Sequence, residues 1–337
     1  MALITHGLST LTDLELQGLL QNARPLHTGI DGRSVELVFA GTRYFVKKIP
    51  LSALEMTPEN QGRTANLFGL PSFCHYGLGV PGFGSWRELA ATLQARDWLS
   101  ETDDRYFLKL LHHRVLPAPA QPALDLAQIQ EREAQIQNWG GSAPVRARYE
   151  ALARTTHEIV MVFDFIPRTL KDWMVGEAAR GADAFTQAIL FAESNLRAAV
   201  DVLKAHGMLH FDTHFENILT DGHGFYLTDF GLAISKDFEL EPEEARFLEL
   251  HADYDLARAS IGLVHAVITA LEPTGHWADH LHAFLKQEPD HWPPAAREAV
   301  RRYAPLAVVQ RDFARRLMTD KLTPYPHDEI SNLVKRL

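Results

Sequence analysis

The chain has 337 residues, 46% of them apolar and 23% charged, with a formal net charge of −10 from 43 acidic against 33 basic residues. That length permits one large domain or two lobes with a substantial core, and the acidic balance argues against a general nucleic-acid surface while mildly favouring cationic small molecules or basic peptides as partners. A single cysteine, Cys74, excludes an intramolecular disulfide and a Cys-rich zinc site.

The opening MALITHGLST lacks a basic stretch followed by an apolar one, and no apolar run approaches the roughly 20 residues needed to cross a bilayer. The expectation is a cytoplasmic protein without export signal or membrane span. Residues 12–23 begin with Thr12 and Glu15 in capping-box spacing and then set Leu16, Leu19 and Leu20 on one face, which predicts a short amphipathic helix. After a turn at Gly29-Ile30-Asp31-Gly32, residues 33–49 alternate as two strand-like runs around Ala40-Gly41-Thr42, the pattern of a hairpin. Residues 69–84 are dense in Gly and Pro and predict a loop. Ser85-Trp86-Arg87-Glu88 then reads as the capped start of a helix.

Residues 106–116 predict a strand, residues 117–122 a Pro-rich bend, and polar helices run to about residue 153. EIVMVFDFI, 158–166, is the most strand-like run in the chain, and a helix starts at residues 169–174. Beyond it the chain reads as almost entirely helical apart from one hairpin. Strands before about residue 166 and helices after it predict an α+β protein in two parts, a sheet-rich unit over 1–165 and a helical unit over 166–337.

That late hairpin lies within HFDTHFENILTDGHGFYLTDFG, residues 210–231. Ile218-Leu219 and Phe225-Tyr226-Leu227 read as its strands, joined by Asp221-Gly222-His223-Gly224. Folding it brings Asp212, Asn217 and Asp229 to one end. An Asp without a side-chain partner fixed by sequence is a candidate base, and an Asn and a second Asp beside it are donors that a hard divalent cation accepts. The set suits phosphoryl transfer, in which the protein orients a hydroxyl and neutralises phosphate charge with metal ions and a Lys.

His210-x-Asp212-x-x-x-x-Asn217 followed by Asp229-Phe230-Gly231 resembles the catalytic loop and metal-binding triplet of protein kinases. The resemblance covers roughly residues 26–271 and is strong over 158–234. It implies a bilobal protein-kinase-like fold, with a small β-rich N-lobe, a larger mainly helical C-lobe, and ATP with Mg²⁺ between them. In those terms Asp212 is the base, and Asn217 and Asp229 are the metal ligands. Lys47, closing Phe45-Val46-Lys47, resembles the lysine that grips the α- and β-phosphates, with Lys48 as its competitor on the opposite strand face.

Glu88 is the implied partner of Lys47, although it lies 41 residues later and has a plainer reading as a capping-box residue with Ser85; Glu55 and Glu59 remain alternatives. MVFDFIPRTLKDWM, 161–174, resembles the hinge of cyclin-dependent kinases, with Phe163 at the gatekeeper position and the backbone of Asp164 and Ile166 where adenine would bond. Gly29 and Gly32 are what remains of a glycine loop. Asp253-Tyr254-Asp255-Leu256 resembles the start of the helix whose acid buttresses the catalytic loop.

The departures bear on the acceptor. Phe211 stands where many protein kinases carry the Arg that holds a phosphorylated loop, so regulation by loop phosphorylation is not expected. His214 stands where Ser/Thr kinases carry a Lys near the γ-phosphate, and a His two residues after the Asp instead resembles small-molecule kinases of the aminoglycoside and choline phosphotransferase type. The segment between Gly231 and Asp253 is short, without Ala-Pro-Glu, and has Ser235 as its one hydroxyl.

The expected function is ATP- and Mg²⁺-dependent transfer to a hydroxyl, in a Ser/Thr protein kinase-like enzyme. The alternatives are a small-molecule phosphotransferase acting on a cationic antibiotic or metabolite, and a pseudokinase that binds without turnover. The plain readings leave His210 as a packed structural residue, residues 239–249 as a solvated acidic face, and the i, i+4 pair His276 and His280 as part of an ordinary amphipathic helix.

Overall fold

The computed structural model describes residues 7–28, 32–77, 79, 81–99, 106–119 and 125–337. The fold is α+β. Helix α1 (Asp13–Gln21) has the expected capping box between Thr12 and Glu15. A five-stranded sheet follows from β1 (Arg24–Thr28), β2 (Arg33–Phe39), β3 (Thr42–Leu51), β4 (Leu110–Pro117) and β5 (His157–Asp164), in the order β1-β2-β3-β5-β4. Every neighbouring pair is antiparallel. Strand β1 escapes sequence pattern because it is a short edge strand, RPLHT, carrying Pro25 and a bulge against β2.

Side chains alternate across the sheet, and the alternation sorts the core. Val46, Val160 and Val162 pack with Leu16 and Leu20 of α1 on one face. Ile49, Leu51, Ile159, Met161 and Phe163 pack on the other with Leu89 of α2 (Ser85–Trp98). Lys47 shares the odd-numbered face with Ile49 and Leu51, so it points toward α2, whereas Lys48 points away. Helices α3 (Leu126–Asn138) and α4 (Ala143–Leu152) pack around Trp139 together with the residues before α2.

From residue 168 onward the chain is mainly helical: α5 (Leu170–Ala179), α6 (Ala182–Ala205), α7 (Pro242–Leu250), α8 (Tyr254–Leu271), α9 (Trp277–Lys286), α10 (Pro294–Thr319) and α11 (His327–Val334). The expected hairpin is there as β8 (Ile218–Thr220) and β9 (Phe225–Leu227). Three strands of two residues accompany it, too short to leave a sequence pattern: β6 (Arg168–Thr169) against β8, and β7 (Met208–Leu209) against β10 (Ile234–Ser235). Among the described residues one helix, α8, is long and apolar enough to cross a membrane, and 61% of it is buried inside the protein, as befits a core helix packed against α6 and α10.

The expected start of α2 needs correcting. Its N-cap is Gly84, without a side-chain cap, because the Ser85 hydroxyl donates instead to the Pro50 carbonyl at 2.7 Å. Glu55 serves that helix end from a distance, accepting the Ser85 amide at 2.7 Å, where a carboxylate is favoured by the helix dipole. Glu88 is thereby released from a capping-box role.

Candidate functional site

Loop 210–217 is shaped by the first turn of α8. The buried Asp255 carboxylate accepts the amides of His210 at 2.7 Å and Phe211 at 2.8 Å, and its carbonyl accepts the Thr213 hydroxyl at 2.8 Å. Turning both amides onto one carboxylate puts Phe211 in the left-handed region, φ 64°, at a cost of about 1–3 kcal/mol that the surrounding contacts must carry. Burial pushes the Asp255 carboxyl up to about 6 against the two amide donors. His210 accepts the Asp212 amide on Nδ1 at 3.2 Å, so its Nε2 donates to the Thr228 carbonyl, 3.0 Å away. Burial lowers its imidazole to about 4. It is a neutral histidine that splices the loop to the end of β9, the structural role expected of it.

Asp212 stands at the open end of this loop. Its Oδ2 accepts Asn217 Nδ2 at 2.9 Å, with His214 Nε2 at 3.4 Å and Arg258 3.9 Å from Oδ1. Burial raises the Asp212 carboxyl, but the His214 hydrogen bond and the charges of His214 and Arg258 outweigh it and hold the group below its ordinary value. His214 is the reciprocal case. Burial lowers it, while Asp212 on one nitrogen and Glu216 on the other, at 3.1 Å, push it up to about 9. Lys171 anchors Glu216 at 2.8 Å. Arg258 went unnoticed in the sequence; its signal was its place one turn beyond Asp255, on the same face of α8.

Across from this loop, Lys47 Nζ lies 2.6 Å from Glu88 and 2.6 Å from Asp229. The long interval between Lys47 and Glu88 is therefore compatible with a direct ion pair, because α2 lies under the face of β3 that carries Lys47. Lys48 approaches Glu158 at 4.0 Å. Of the rival acids, Glu55 is buried against Arg148 at 2.7 Å and Glu59 is exposed. Burial raises Asp229, but the neighbouring Lys47 ammonium keeps its carboxyl below the ordinary range. Asp229 also takes the left-handed region, φ 67°. Gly231 leaves room for this group, since a Cβ there would lie 3.2 Å from Glu88 Oε2 and 3.3 Å from Asp229 Oδ1.

All of this opens on one cavity of about 800 Å³, within the range of small-molecule sites. Gly32 and the sheet residues Phe45 and Lys47 line one side, Ile166 and Thr169 one end, and Asp212, His214, Asn217, Leu219 and Asp229 the other side. Gly32 admits no side chain, because a Cβ would sit 2.4 Å from the Lys48 carbonyl oxygen. Gly29 lies outside the described residues. Phe163 and Asp164 do not line the cavity: Phe163 is core, its ring 5.9 Å from that of Phe45, and Phe45 forms the wall there instead. Asp164 ends β5 opposite Tyr44.

The donor set suits a small hard cation. Asn217 spends its amide nitrogen on Asp212, which leaves Oδ1 as its donor oxygen, and Asp229, which accepts Lys47 on Oδ1, lines the cavity beside it. Two such ligands completed by substrate oxygens are a common way of binding Mg²⁺. No protein-family model matches the chain, and no curated protein sequence matches it.

Proposed function

We propose that this protein is an ATP- and Mg²⁺-dependent phosphotransferase of protein-kinase-like, bilobal architecture, with the nucleotide between the sheet and the helical part. The observation that carries the reading is that Lys47, paired with Glu88 and Asp229, faces Asp212 and Asn217 across a single cavity. In this reading Phe45 and Leu219 take the two faces of the adenine, and Lys47 holds the α- and β-phosphates. Asp212 accepts the proton of the acceptor hydroxyl. Asp229 and Asn217 would hold Mg²⁺, which when bound supplies charge neutralisation at the phosphates. His214, cationic at neutral pH, lies beside Asp212 where negative charge develops on the transferred group.

The acceptor is a hydroxyl on a protein or on a small molecule. His214, and the short segment after Gly231 that is ordered into β10 and α7, support the small-molecule acceptor. The pseudokinase reading is tested by turnover itself.

The deciding experiment compares ATP consumption by Lys47→Ala and Lys48→Ala, with thermal melting as the control for folding. Lys47→Ala is expected to lose about 100-fold or more, since it removes a preorganised charge from the phosphates, while Lys48→Ala stays within about threefold, the sign of a residue outside the cavity. Equal losses, or no wild-type turnover with any hydroxyl acceptor, would overturn the reading.

A pH dependence follows from His214. Its folded-state value of about 9 lies above the ordinary 6.5, so its pairing with Asp212 and Glu216 is complete below pH 6.5 and is lost as pH rises through about 9. Turnover should fall over that alkaline window, and His214→Gln should remove that limb from the pH profile. An alkaline limb unchanged in the variant would assign it to another group.

A further inference from the structure

Helix α2 is fastened at two places that have no part in the cavity, one at Arg87, next to Glu88, and one at Ser85, three residues before it. The Arg87 side chain leaves α2 away from Lys47 and donates through Nη1 to Glu244 Oε1 at 2.8 Å, the two side chains being 2% and 4% exposed. Arg87 Nε donates to the Thr64 carbonyl at 2.5 Å, and the guanidinium lies 5.3 Å and 5.6 Å from the rings of Phe83 and Phe238. Glu244 is itself the third residue of α7, where it closes a capping box with Glu241. The second fastening is Glu55, which accepts the Ser85 amide and is held by Arg148.

We infer that Arg87 and Glu244 are positioning residues that hold α2 with Glu88 turned toward Lys47, a carboxylate built into the chain doing what a phosphate on a loop would otherwise do. The inference rests on the phosphotransferase reading above. Three observations carry it. The pair joins the helix bearing Glu88 to the segment that follows Asp229-Phe230-Gly231, so the two halves of the Lys47 cluster are tied behind as well as in front. Stability alone does not call for it, because apolar residues of similar size would serve a buried pair's stability equally well, and Arg87 Nη2 has no hydrogen-bond partner among the described residues. Ser235, the one hydroxyl between Gly231 and Asp253, is fully buried in β10, so a switchable phosphate has no accessible acceptor there.

The test measures kcat, the Kd for Mg·ATP and amide hydrogen exchange for Arg87→Met and Glu244→Gln, each alone and combined with Glu88→Gln. The glutamine retains an oxygen for the α7 capping box. Each single variant is expected to lower kcat about 10- to 100-fold with Kd within about threefold, and to add less than about twofold in the Glu88→Gln background, because residues acting through one another are non-additive. Exchange should rise in residues 86–93 while the helical core stays protected. Full additivity, an unchanged kcat, or uniform loss of protection would overturn the proposal.

Should a single variant fail to fold, Arg87→Met combined with Glu244→Met removes both buried charges. A lower kcat at an unchanged melting temperature then supports positioning, and an unchanged kcat overturns it. A wild type without turnover would defeat the phosphotransferase reading, while the exchange measurement would still decide whether Arg87 and Glu244 hold α2.

Discussion

Asp212→Asn is expected to lower turnover by about 10³-fold, within the span that general-base removal produces, while Mg²⁺-dependent ATP affinity stays within about threefold. Asparagine is nearly isosteric and can still accept from the Asn217 amide, 2.9 Å from Oδ2. The loop is held independently through Asp255, so the geometry survives and only the proton acceptor is lost. The size of the effect also depends on Asp212 being ionised. His214 and Arg258 hold its carboxyl below the ordinary range despite burial, so the proposed base is ionised throughout the neutral range. A loss below about tenfold would mean that proton removal contributes little to the barrier. A large loss of ATP affinity would instead make Asp212 a ground-state contact.

What was legible in the sequence was what is local. The spacing of Asp212, Asn217 and Asp229 around a hairpin could be read because β8 and β9 are joined by a tight turn and the three residues flank them within 18 positions. Strand parity separates Lys47 from Lys48, but both faces of the sheet are covered, so the choice of Lys47 rests on the register of the family resemblance. The partner of Lys47 was not legible, because Glu55, Glu59 and Glu88 differ only in which tertiary contacts they meet. Arg148, 93 residues beyond Glu55, takes that acid, and Glu55 in turn caps α2 and frees Glu88.

The cavity wall shows the same limit. Phe45 and Phe163 both belong to strands with apolar faces, and only the pairing of β3 with β5 sets them opposite each other, with Phe45 at the surface of the cavity. Arg258 and Glu244 act through contacts 46 and 157 residues away in sequence, a distance at which spacing carries no information.

Asp229→Ala is expected to abolish the Mg²⁺ dependence of ATP binding, with a Kd ratio without and with Mg²⁺ near one, because the hard cation loses its one charged oxygen ligand and retains only the Asn217 amide. The ammonium of Lys47 keeps Glu88 at 2.6 Å, so the cation proposed to bind phosphate stays in place and the loss is expected to fall on the metal. Backbone strain adds a second, separable effect. The left-handed conformation at φ 67° is tolerated better by Asp than by Ala, whose strain there is about 1–2 kcal/mol, so some loss of thermal stability accompanies the substitution. Asp229→Asn separates the two, since asparagine accepts that backbone and keeps a neutral oxygen donor. It should restore the melting temperature while recovering only part of the Mg²⁺ dependence. If both variants bound Mg·ATP as the wild type does, the cation would have to be held by other groups, and Asp229 would be left as a structural partner of Lys47.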